Sequence, residues 1–289
     1  MYIVIGKNGQ LAQAFKYLLG DKAVYFSHSD LDFTDIEKIR ETLSKYNAEA
    51  IINTCAYTAV DKAEEEEDKA RKANALLPKA IATYCKNADI PFIHYSTDYV
   101  FSGQGDGPYN EGDKTSPINI YGKTKLEGER SVIETGGKYL IFRTSWVYDG
   151  YNKNFFCTMM RLGKEREELS VVDDQIGAPT YAPALAKRTL EALNNIQGEF
   201  PSGVYHLCGA GQTSWYGFAS KIFEKAKKQG IQLKIHKINP IPSSSYPTPA
   251  KRPLNSRLNC SKAESVLKIK MPNWQISLEE AIESYKNTA

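Results

Sequence analysis

The stretch MYIVIGKNGQLAQAF at residues 1–15 decides the fold of this chain. Its opening part, Tyr2–Ile5, is a short apolar run that is typical of a buried strand. Apolar residues then recur at the spacing of one helix face, from Leu11 to Leu19. A glycine-containing turn, Gly6–Ala12, joins the two segments. The stretch therefore predicts a strand, a tight turn and a helix, which form the first unit of an alternating α/β fold.

The same alternation continues through the first half of the chain. Further strands are predicted at Ala23–Phe26, Ala50–Thr54, Pro91–Ser96 and Lys138–Ser145. Helical patterns separate them at Ile36–Tyr46, Glu64–Lys86 and Asn119–Thr135. Because helical crossovers of this length join parallel strands, the sequence predicts an α/β fold with a doubly wound, Rossmann-like parallel sheet.

Composition narrows the class of protein further. The 289 residues carry a net charge of only +3 with both signs interspersed, so no overall field attracts nucleic acid. No apolar run approaches the roughly 18 residues that a membrane span needs, and no basic segment precedes the first strand, so we expect a cytoplasmic protein without a membrane partner. The five cysteines form no C-x-x-C pair, which fits reduced thiols, and the four histidines are scattered, so no metal site is predicted.

The turn after the first strand has the pattern G-x-x-G-x-x-A. Small residues let the backbone approach a pyrophosphate, and the helix N-terminus presents unpaired N–H groups to it. The pattern is weak by itself, but its place in the first unit of a doubly wound fold predicts a dinucleotide site. The candidate cofactor contacts in this turn are Gly6, Asn8, Gly9, Gln10 and Leu11.

The end of the second predicted strand bears on the type of dinucleotide. An acidic residue directly after that strand would favour NAD, whereas Lys7, Ser27 and His28 tolerate the additional phosphate of NADP. The sequence therefore leaves NADPH and NADH open. Asp32 and Phe33 are candidate contacts near the adenine. Capping of the following helix explains the polar residues in this part of the sequence equally well.

Reactive side chains follow the fourth predicted strand, where Thr97 and Asp98 emerge at its carboxyl end. Ligands bind at that end of parallel strands. On the next predicted helix, Tyr121 and Lys125 are four residues apart and share a face. A neighbouring ammonium lowers the pKa of a phenol toward neutral pH. Tyr121 is thus predicted to protonate an oxygen that gains charge as a hydride arrives, with Thr97 donating a second hydrogen bond.

Five longer stretches carry a closer resemblance. They are His94–Phe101, Tyr121–Glu129, Arg143–Tyr148, Asp174–Thr180 and Pro247–Pro253. Together with the glycine turn they resemble the dTDP-4-dehydrorhamnose reductase family of the extended short-chain dehydrogenase/reductase superfamily. The resemblance implies that NADPH or NADH reduces the 4-keto group of a nucleotide-sugar substrate, dTDP-4-dehydro-L-rhamnose, to give dTDP-L-rhamnose.

The resemblance also implies roles for individual residues. Tyr121 would donate the proton, Lys125 would act as its electrostatic partner and bind the nicotinamide ribose, and Thr97 would orient the keto oxygen. Further cofactor contacts, at the end of the third strand, would be Asn53, Ala56 and Thr58. The substrate contacts would be Thr97, Asp98, Trp146, Arg252 and Arg257. An indole suits a sugar ring and a guanidinium suits a diphosphate, although a core tryptophan and solvated arginines remain alternatives.

The resemblance predicts two domains. Residues 1–149 would form the dinucleotide-binding domain, with residues 170–211 returning to it, and residues 150–289 would form mainly a smaller C-terminal α/β domain that binds substrate. In a subset of the family, Mg²⁺ held by glutamates joins a homodimer, and the sequence leaves both open. The acids available for that role are Glu165, Glu167, Glu168, Glu279 and Glu280.

Proteins with other functions carry the same motifs, and the sequence leaves two of these functions open. A nucleotide-sugar 4-epimerase uses the same tyrosine and lysine, and a regulatory subunit like that of methionine adenosyltransferase shares much of the pattern without turnover. A 4,6-dehydratase is disfavoured, because Tyr99 stands where a second carboxylate would follow Asp98.

Overall fold

The computed structural model of the chain describes residues 1–27, 30–31 and 36–288. The strands are β1 (Tyr2–Ile5), β2 (Ala23–Phe26), β3 (Ala50–Asn53), β4 (Phe92–Thr97), β5 (Tyr139–Thr144), β6 (Val147–Tyr148), β7 (Glu168–Val172), β8 (Ile176–Gly177), β9 (Thr180–Tyr181), β10 (Gly203–His206), β11 (Thr213–Ser214) and β12 (Lys237–Ile241). The helices are α1 (Gln10–Leu19), α2 (Ile36–Leu43), α3 (Val60–Ala63), α4 (Glu67–Arg71), α5 (Leu77–Asn87), α6 (Ile120–Thr135), α7 (Phe155–Glu165), α8 (Ala182–Asn195), α9 (Trp215–Lys228), α10 (Ser261–Val266) and α11 (Trp274–Thr288).

A parallel sheet forms the centre of the fold. Within the described residues it has six strands in the order β10-β5-β4-β3-β1-β2. Successive side chains of a strand point to opposite faces. Accordingly Val4 and Ile52 lie in the core on one face of the sheet, and Ile3 and Ile51 lie in the core on the other. The predicted α/β fold with a Rossmann-like parallel sheet is confirmed.

The second half of the chain contributes to the central sheet and also builds a core of its own. Strand β10 pairs with β5 at the sheet edge, and α8 packs beside α1 in the core on one face. A further core lies among α7, α9 and α11, where Met160, Phe218 and Leu278 are buried. The two predicted domain boundaries remain a prediction.

Two expectations concern the chain as a whole. None of the helices in the described ranges is both long and apolar enough to cross a membrane. All five cysteines are free thiols in this structure.

The long helix predicted over residues 64–86 is interrupted. It divides into α4, a π-helical turn at Lys72–Leu76 and α5. Pro78 has no N–H to donate to the carbonyl of Asn74, which removes one helical hydrogen bond at this turn. That carbonyl lies instead against α6, where a Cβ built on Gly128 would be 2.0 Å from the oxygen. The π turn and the glycine together let α6 approach closely.

We expect the substitution Gly128→Ala to destabilise the protein by about 1–3 kcal/mol, because the added methyl overlaps backbone that cannot rotate away. Alanine favours a helix interior over glycine by roughly 1 kcal/mol, and the expected destabilisation is what is left after the cost of the overlap has exceeded that gain. Urea unfolding measures the difference. The control is Gly112→Ala, since no atom lies within 4 Å of a Cβ there. A Gly128→Ala variant as stable as the control would contradict the close packing.

Candidate active site

The glycine turn brings two backbone segments into contact. Gly6 has a φ of +107°, and a Cβ built there would lie 2.6 Å from Thr54 Oγ1 and 2.8 Å from the nitrogen of Cys55. Only glycine satisfies both the conformation and the space. No side chain caps α1 at Gly9, and no acidic residue lies in its first turn. The first N–H groups of the helix are therefore available to an anion, as a dinucleotide diphosphate requires.

The other candidate residues of the turn differ in what they can offer a ligand. Asn8 is exposed, whereas the side chain of Leu11 is buried in the core. Gln10 is engaged, because its Oε1 accepts a hydrogen bond from Asn154 Nδ2 at 2.9 Å. Leu11 can therefore face a cofactor only through its backbone, and Gln10 ties the turn to the start of α7.

Two predicted contacts at the adenine end, Asp32 and Phe33, lie outside the described residues, as does His28. The neighbouring Ser27 is described. Its backbone N–H and its Oγ each donate to Asp30 Oδ2 at 2.7 Å. A carboxylate thus already binds the Ser27 hydroxyl at the end of β2.

The candidate residues after β3 shape the loop at the sheet edge. Asn53 is fully buried, its Nδ2 lies 3.1 Å from His94 Nδ1, and its Oδ1 accepts from the nitrogen of Cys55 at 3.1 Å. Both polar atoms of Asn53 are therefore used within the fold. Ala56 is half-buried and Thr58 is exposed, so these two remain free to border a ligand.

The predicted reactive residues do come together at the carboxyl end of β4. Thr97 Oγ1 donates to Asp98 Oδ1 at 3.0 Å, and the phenol of Tyr121 lies close enough to the hydroxyl of Thr97 for that hydroxyl to influence its pKa. The ring of Tyr99 meets that of Tyr121 edge-on at 5.5 Å. Tyr121 lies in the first turn of α6, so the helix start and the strand end meet at one edge of the sheet.

The pKa of Tyr121 shifts in the opposite direction from the one that the sequence predicts. Burial raises the pKa of Tyr121 to about 12, the negative charge of Asp98 adds to the rise, and the nearby hydroxyl of Thr97 opposes it. The sequence predicts a lowering by Lys125, but Lys125 Nζ donates to the carbonyl of Tyr95 at 2.6 Å and is not among the groups that shift this pKa. In the ligand-free chain Tyr121 is thus a neutral phenol, the form that can donate a proton.

Asp98 is buried beside this pair. Burial raises its pKa to about 6, while the nearby hydroxyls of Ser256 and Thr97 limit the rise. The pattern of the sequence gave no sign of Ser256, which lies 158 positions further along the chain. This carboxyl group can change its protonation state near neutral pH.

A buried charge network lies behind Lys125. Burial lowers the pKa of Lys125 to about 8, and the negative charge of Glu129 opposes this shift. Glu129 in turn accepts two hydrogen bonds from Arg143, from Nε at 2.9 Å and from Nη2 at 2.7 Å. Glu129 and Arg143 are both buried and were not singled out as an interacting pair from the sequence.

Trp146 occupies a strained position after β5. Its φ of +48° is rare for a bulky residue. The indole stacks on Trp215 with ring centroids 3.6 Å apart, and it leaves no room for a Cβ at Gly177. Because β4 and β5 pair with Thr97 opposite Thr144, Trp146 follows a strand end at the same edge as the reactive residues. The aromatic partner Trp215 could not be inferred from the sequence.

The two predicted substrate arginines have different surroundings. Arg252 forms a bidentate ion pair with Asp61, with Nη1 to Oδ1 at 2.9 Å and Nη2 to Oδ2 at 2.7 Å. Its positive charge also opposes the high pKa of Tyr99, so it acts electrostatically on the reactive cluster. Arg257 donates from Nε to Asn255 Oδ1 and lines a separate cavity of about 370 Å³.

The segment that carries Arg252 is attached to the start of α6. Asn119 Oδ1 caps this helix by accepting from the nitrogen of Gly122, and Asn119 Nδ2 donates to the carbonyl of Lys251. A Cβ at Gly122 would lie 2.2 Å from the carbonyl oxygen of Tyr99. Glycines 122 and 128 inside a predicted helix are the signal from which this close packing could have been inferred.

Binding of Mg²⁺, which the resemblance left open, finds no support in the surroundings of the candidate acids. Glu165 pairs with Arg161, Glu168 with Lys237 and Glu279 with Lys225. In the described part of the chain, no group of three or more His, Cys, Asp or Glu side chains could hold a metal ion.

Comparison with known proteins identifies a family and relatives that cover nearly the whole chain. The family model described as RmlD substrate binding domain matches residues 1–287. The chain is 44% identical over 295 residues to dTDP-4-dehydrorhamnose reductase of Escherichia coli (strain K12), covering 99% of each chain. It is 41% identical over 287 residues to the enzyme of the same name from Burkholderia thailandensis, covering 96% of each.

A solved structure is similar over the whole fold. It is dTDP-4-dehydrorhamnose reductase from Bacillus anthracis str. Ames in complex with NADP, with a TM-score of 0.91, 36% identity and 98% of each chain covered.

Proposed function

We propose, from the premise that this chain belongs to the dTDP-4-dehydrorhamnose reductase family, that Tyr121 is the proton donor in the reduction of dTDP-4-dehydro-L-rhamnose to dTDP-L-rhamnose. The observation that carries the proposal is the cluster of Tyr121, Thr97 and Asp98 at the carboxyl edge of the sheet. The neutral phenol is held against a hydroxyl there, as protonation of a carbonyl oxygen requires.

The residues around the glycine turn fit a nicotinamide dinucleotide. When bound, the reduced nicotinamide supplies the hydride that attacks the keto carbon. The uncapped start of α1 and the close approach at Gly6 suit its diphosphate, and the exposed Thr58 borders the same edge. The relative from Bacillus anthracis has NADP in its structure, which favours NADPH over NADH for this chain.

Proton transfer is assigned to the residues at the end of β4. As the keto oxygen gains negative charge, Tyr121 transfers its phenolic proton to that oxygen. The hydroxyl of Thr97 turns from Asp98 to the same oxygen and stabilises the developing charge by a hydrogen bond. The product is the hydroxyl group, and Tyr121 is left as a phenolate. We assign Lys125 to stabilising that phenolate and holding the nicotinamide ribose. The ammonium must leave the Tyr95 carbonyl or share its protons to do so.

We assign the sugar and the diphosphate to residues beyond β5. The Trp146–Trp215 stack offers an apolar surface with polar edges, which suits a sugar ring. Arg252 can exchange its bidentate contact with Asp61 for two diphosphate oxygens, because a guanidinium binds carboxylate and phosphate with the same geometry. In the free chain Asp61 holds the guanidinium of Arg252 in place.

We expect Arg252→Ala to raise the KM for the nucleotide sugar about tenfold or more, since charge-assisted hydrogen bonds contribute about 1.5–3 kcal/mol each. Steady-state kinetics measure KM. The matched control is Asp61→Asn, which removes the competing carboxylate while retaining Arg252. We expect this control to leave KM unchanged or lower. An equal rise in both variants would assign the ion pair a structural role instead.

The reaction is tested by following the loss of reduced cofactor absorbance when the purified protein meets dTDP-4-dehydro-L-rhamnose made in situ. NADPH and NADH are supplied in separate assays, and the nucleotide-sugar product is identified by chromatography and mass spectrometry. Substrate-dependent oxidation with dTDP-L-rhamnose as the product supports the proposal. Cofactor binding without net oxidation would instead indicate a 4-epimerase or a regulatory subunit.

A further inference from the structure

Two cysteines that are distant in the sequence lie next to each other. The Sγ atoms of Cys208 and Cys260 are 3.7 Å apart, although 52 positions separate the residues. Cys208 follows β10 and is buried, while Cys260 precedes α10 and is half-buried. Both are free thiols.

The pair is accessible through a cavity. Cys208 and Cys260 line the space of about 370 Å³ that Arg257 also borders. A small hydrophilic oxidant can therefore enter and reach the sulfur atoms, which distinguishes this pair from Cys85 in the hydrophobic core.

We propose that Cys208 and Cys260 are a redox modification site, which a peroxide converts into an intramolecular disulfide. The thiolate of Cys260 attacks one peroxide oxygen, so that an S–O bond forms, the O–O bond breaks and hydroxide leaves to become water. The sulfur of Cys208 then attacks the resulting sulfenic acid, loses its proton and displaces a second water as the S–S bond forms. The two thiols lose two electrons in total, and hydrogen peroxide is reduced to two water molecules.

The surroundings of the two sulfur atoms assign their order of reaction. A hydrogen bond from the Cys208 thiol lowers the pKa of Cys260, against the effects of burial and of the charges of Glu111 and Glu264. The same contact and deep burial raise the pKa of Cys208 well above its usual range. Cys260 is therefore the attacking thiol and Cys208 the resolving one.

Disulfide formation would tie the loop after β10 to the segment before α10. The two sulfur atoms must approach each other, because a disulfide bond is shorter than the present sulfur–sulfur contact. Arg257, three positions before Cys260, lies on one of the two segments that the bond would join. The negative charge of Asp98 also contributes to the raised pKa of Cys208, so the change takes place close to the reactive cluster.

The test treats the whole native protein with hydrogen peroxide, blocks remaining thiols with an alkylating reagent and measures intact mass and peptide masses. We expect two fewer alkylated thiols, loss of the mass of two hydrogen atoms, and a cross-linked peptide that joins Cys208 to Cys260. A thiol reductant should restore all five thiols. The result does not depend on reductase activity, so it stands apart from the proposed function.

Three variants serve as comparisons. Cys260→Ser and Cys208→Ala should each abolish the cross-link, while Cys157→Ser, whose thiol donates to the carbonyl of Asp149, should leave it intact. Circular dichroism confirms that each variant is folded before treatment. Five alkylated thiols after peroxide treatment of folded protein, or a sulfinic acid at Cys260 without any cross-link, would overturn the proposal.

Discussion

The substitution Tyr121→Phe should lower kcat at least about 100-fold, because it removes the proton donor and keeps the ring. The aromatic contact with Tyr99 survives, so the start of α6 should stay in place. Cofactor affinity should change little, since the phenyl ring fills the same space. Steady-state kinetics give kcat, and fluorescence titration with NADPH gives the dissociation constant.

The control for this variant is Tyr17→Phe, because Tyr17 is 90% exposed on α1 and its hydroxyl can be removed without effect on the site. This control should retain the kcat of the unmodified protein. Turnover of Tyr121→Phe close to that of the control would refute the assignment. A loss of NADPH binding in Tyr121→Phe would instead assign the hydroxyl to the cofactor.

The sequence predicted the main sheet and the reactive residues because each of them corresponds to a short pattern of neighbouring residues. A short apolar run, a glycine turn and a polar strand end are short patterns, so Gly6 and Thr97 could be placed without knowledge of the rest of the chain. The prediction of one helix over residues 64–86 was wrong at a single turn. Pro78 lacks one donor, and the resulting π turn depends on how Gly128 packs from another helix.

Contacts between distant segments could not be predicted, because composition and spacing do not specify side-chain conformation. Asp61 meets Arg252 and Trp146 meets Trp215 only after the chain has folded around the sheet. The predicted effect of Lys125 on Tyr121 depended on helical spacing alone. The ammonium instead binds the carbonyl of Tyr95, an acceptor on β4 that the spacing of α6 does not reveal.

The buried pair Glu129–Arg143 gives the second large prediction. Its hydrogen bonds of 2.9 and 2.7 Å satisfy both charges in a site that water does not reach. Glu129→Gln removes the negative charge and leaves the guanidinium buried without a counter-ion. We expect the free energy of unfolding to fall by about 3–5 kcal/mol, measured by urea unfolding.

The matched control is Glu127→Gln, on the same helix. Glu127 lies 3.1 Å from Arg71, but both side chains are more than 40% exposed. Water screens this pair, so we expect a change within about 1 kcal/mol. Equal losses in the two variants would mean that burial of the Glu129 pair has no special effect on stability.

The Glu129→Gln variant should also change the pH dependence of cofactor binding. Burial lowers the pKa of Lys125 to about 8 and the charge of Glu129 raises it, so removal of that charge lowers the pKa further. Lys125 then loses its proton at a lower pH, and the loss of NADPH affinity on the alkaline side should move to lower pH. Titrations across the pH range in which the variant stays folded measure this shift. A profile that weakens uniformly without moving would show that Glu129 supports the fold and does not tune Lys125.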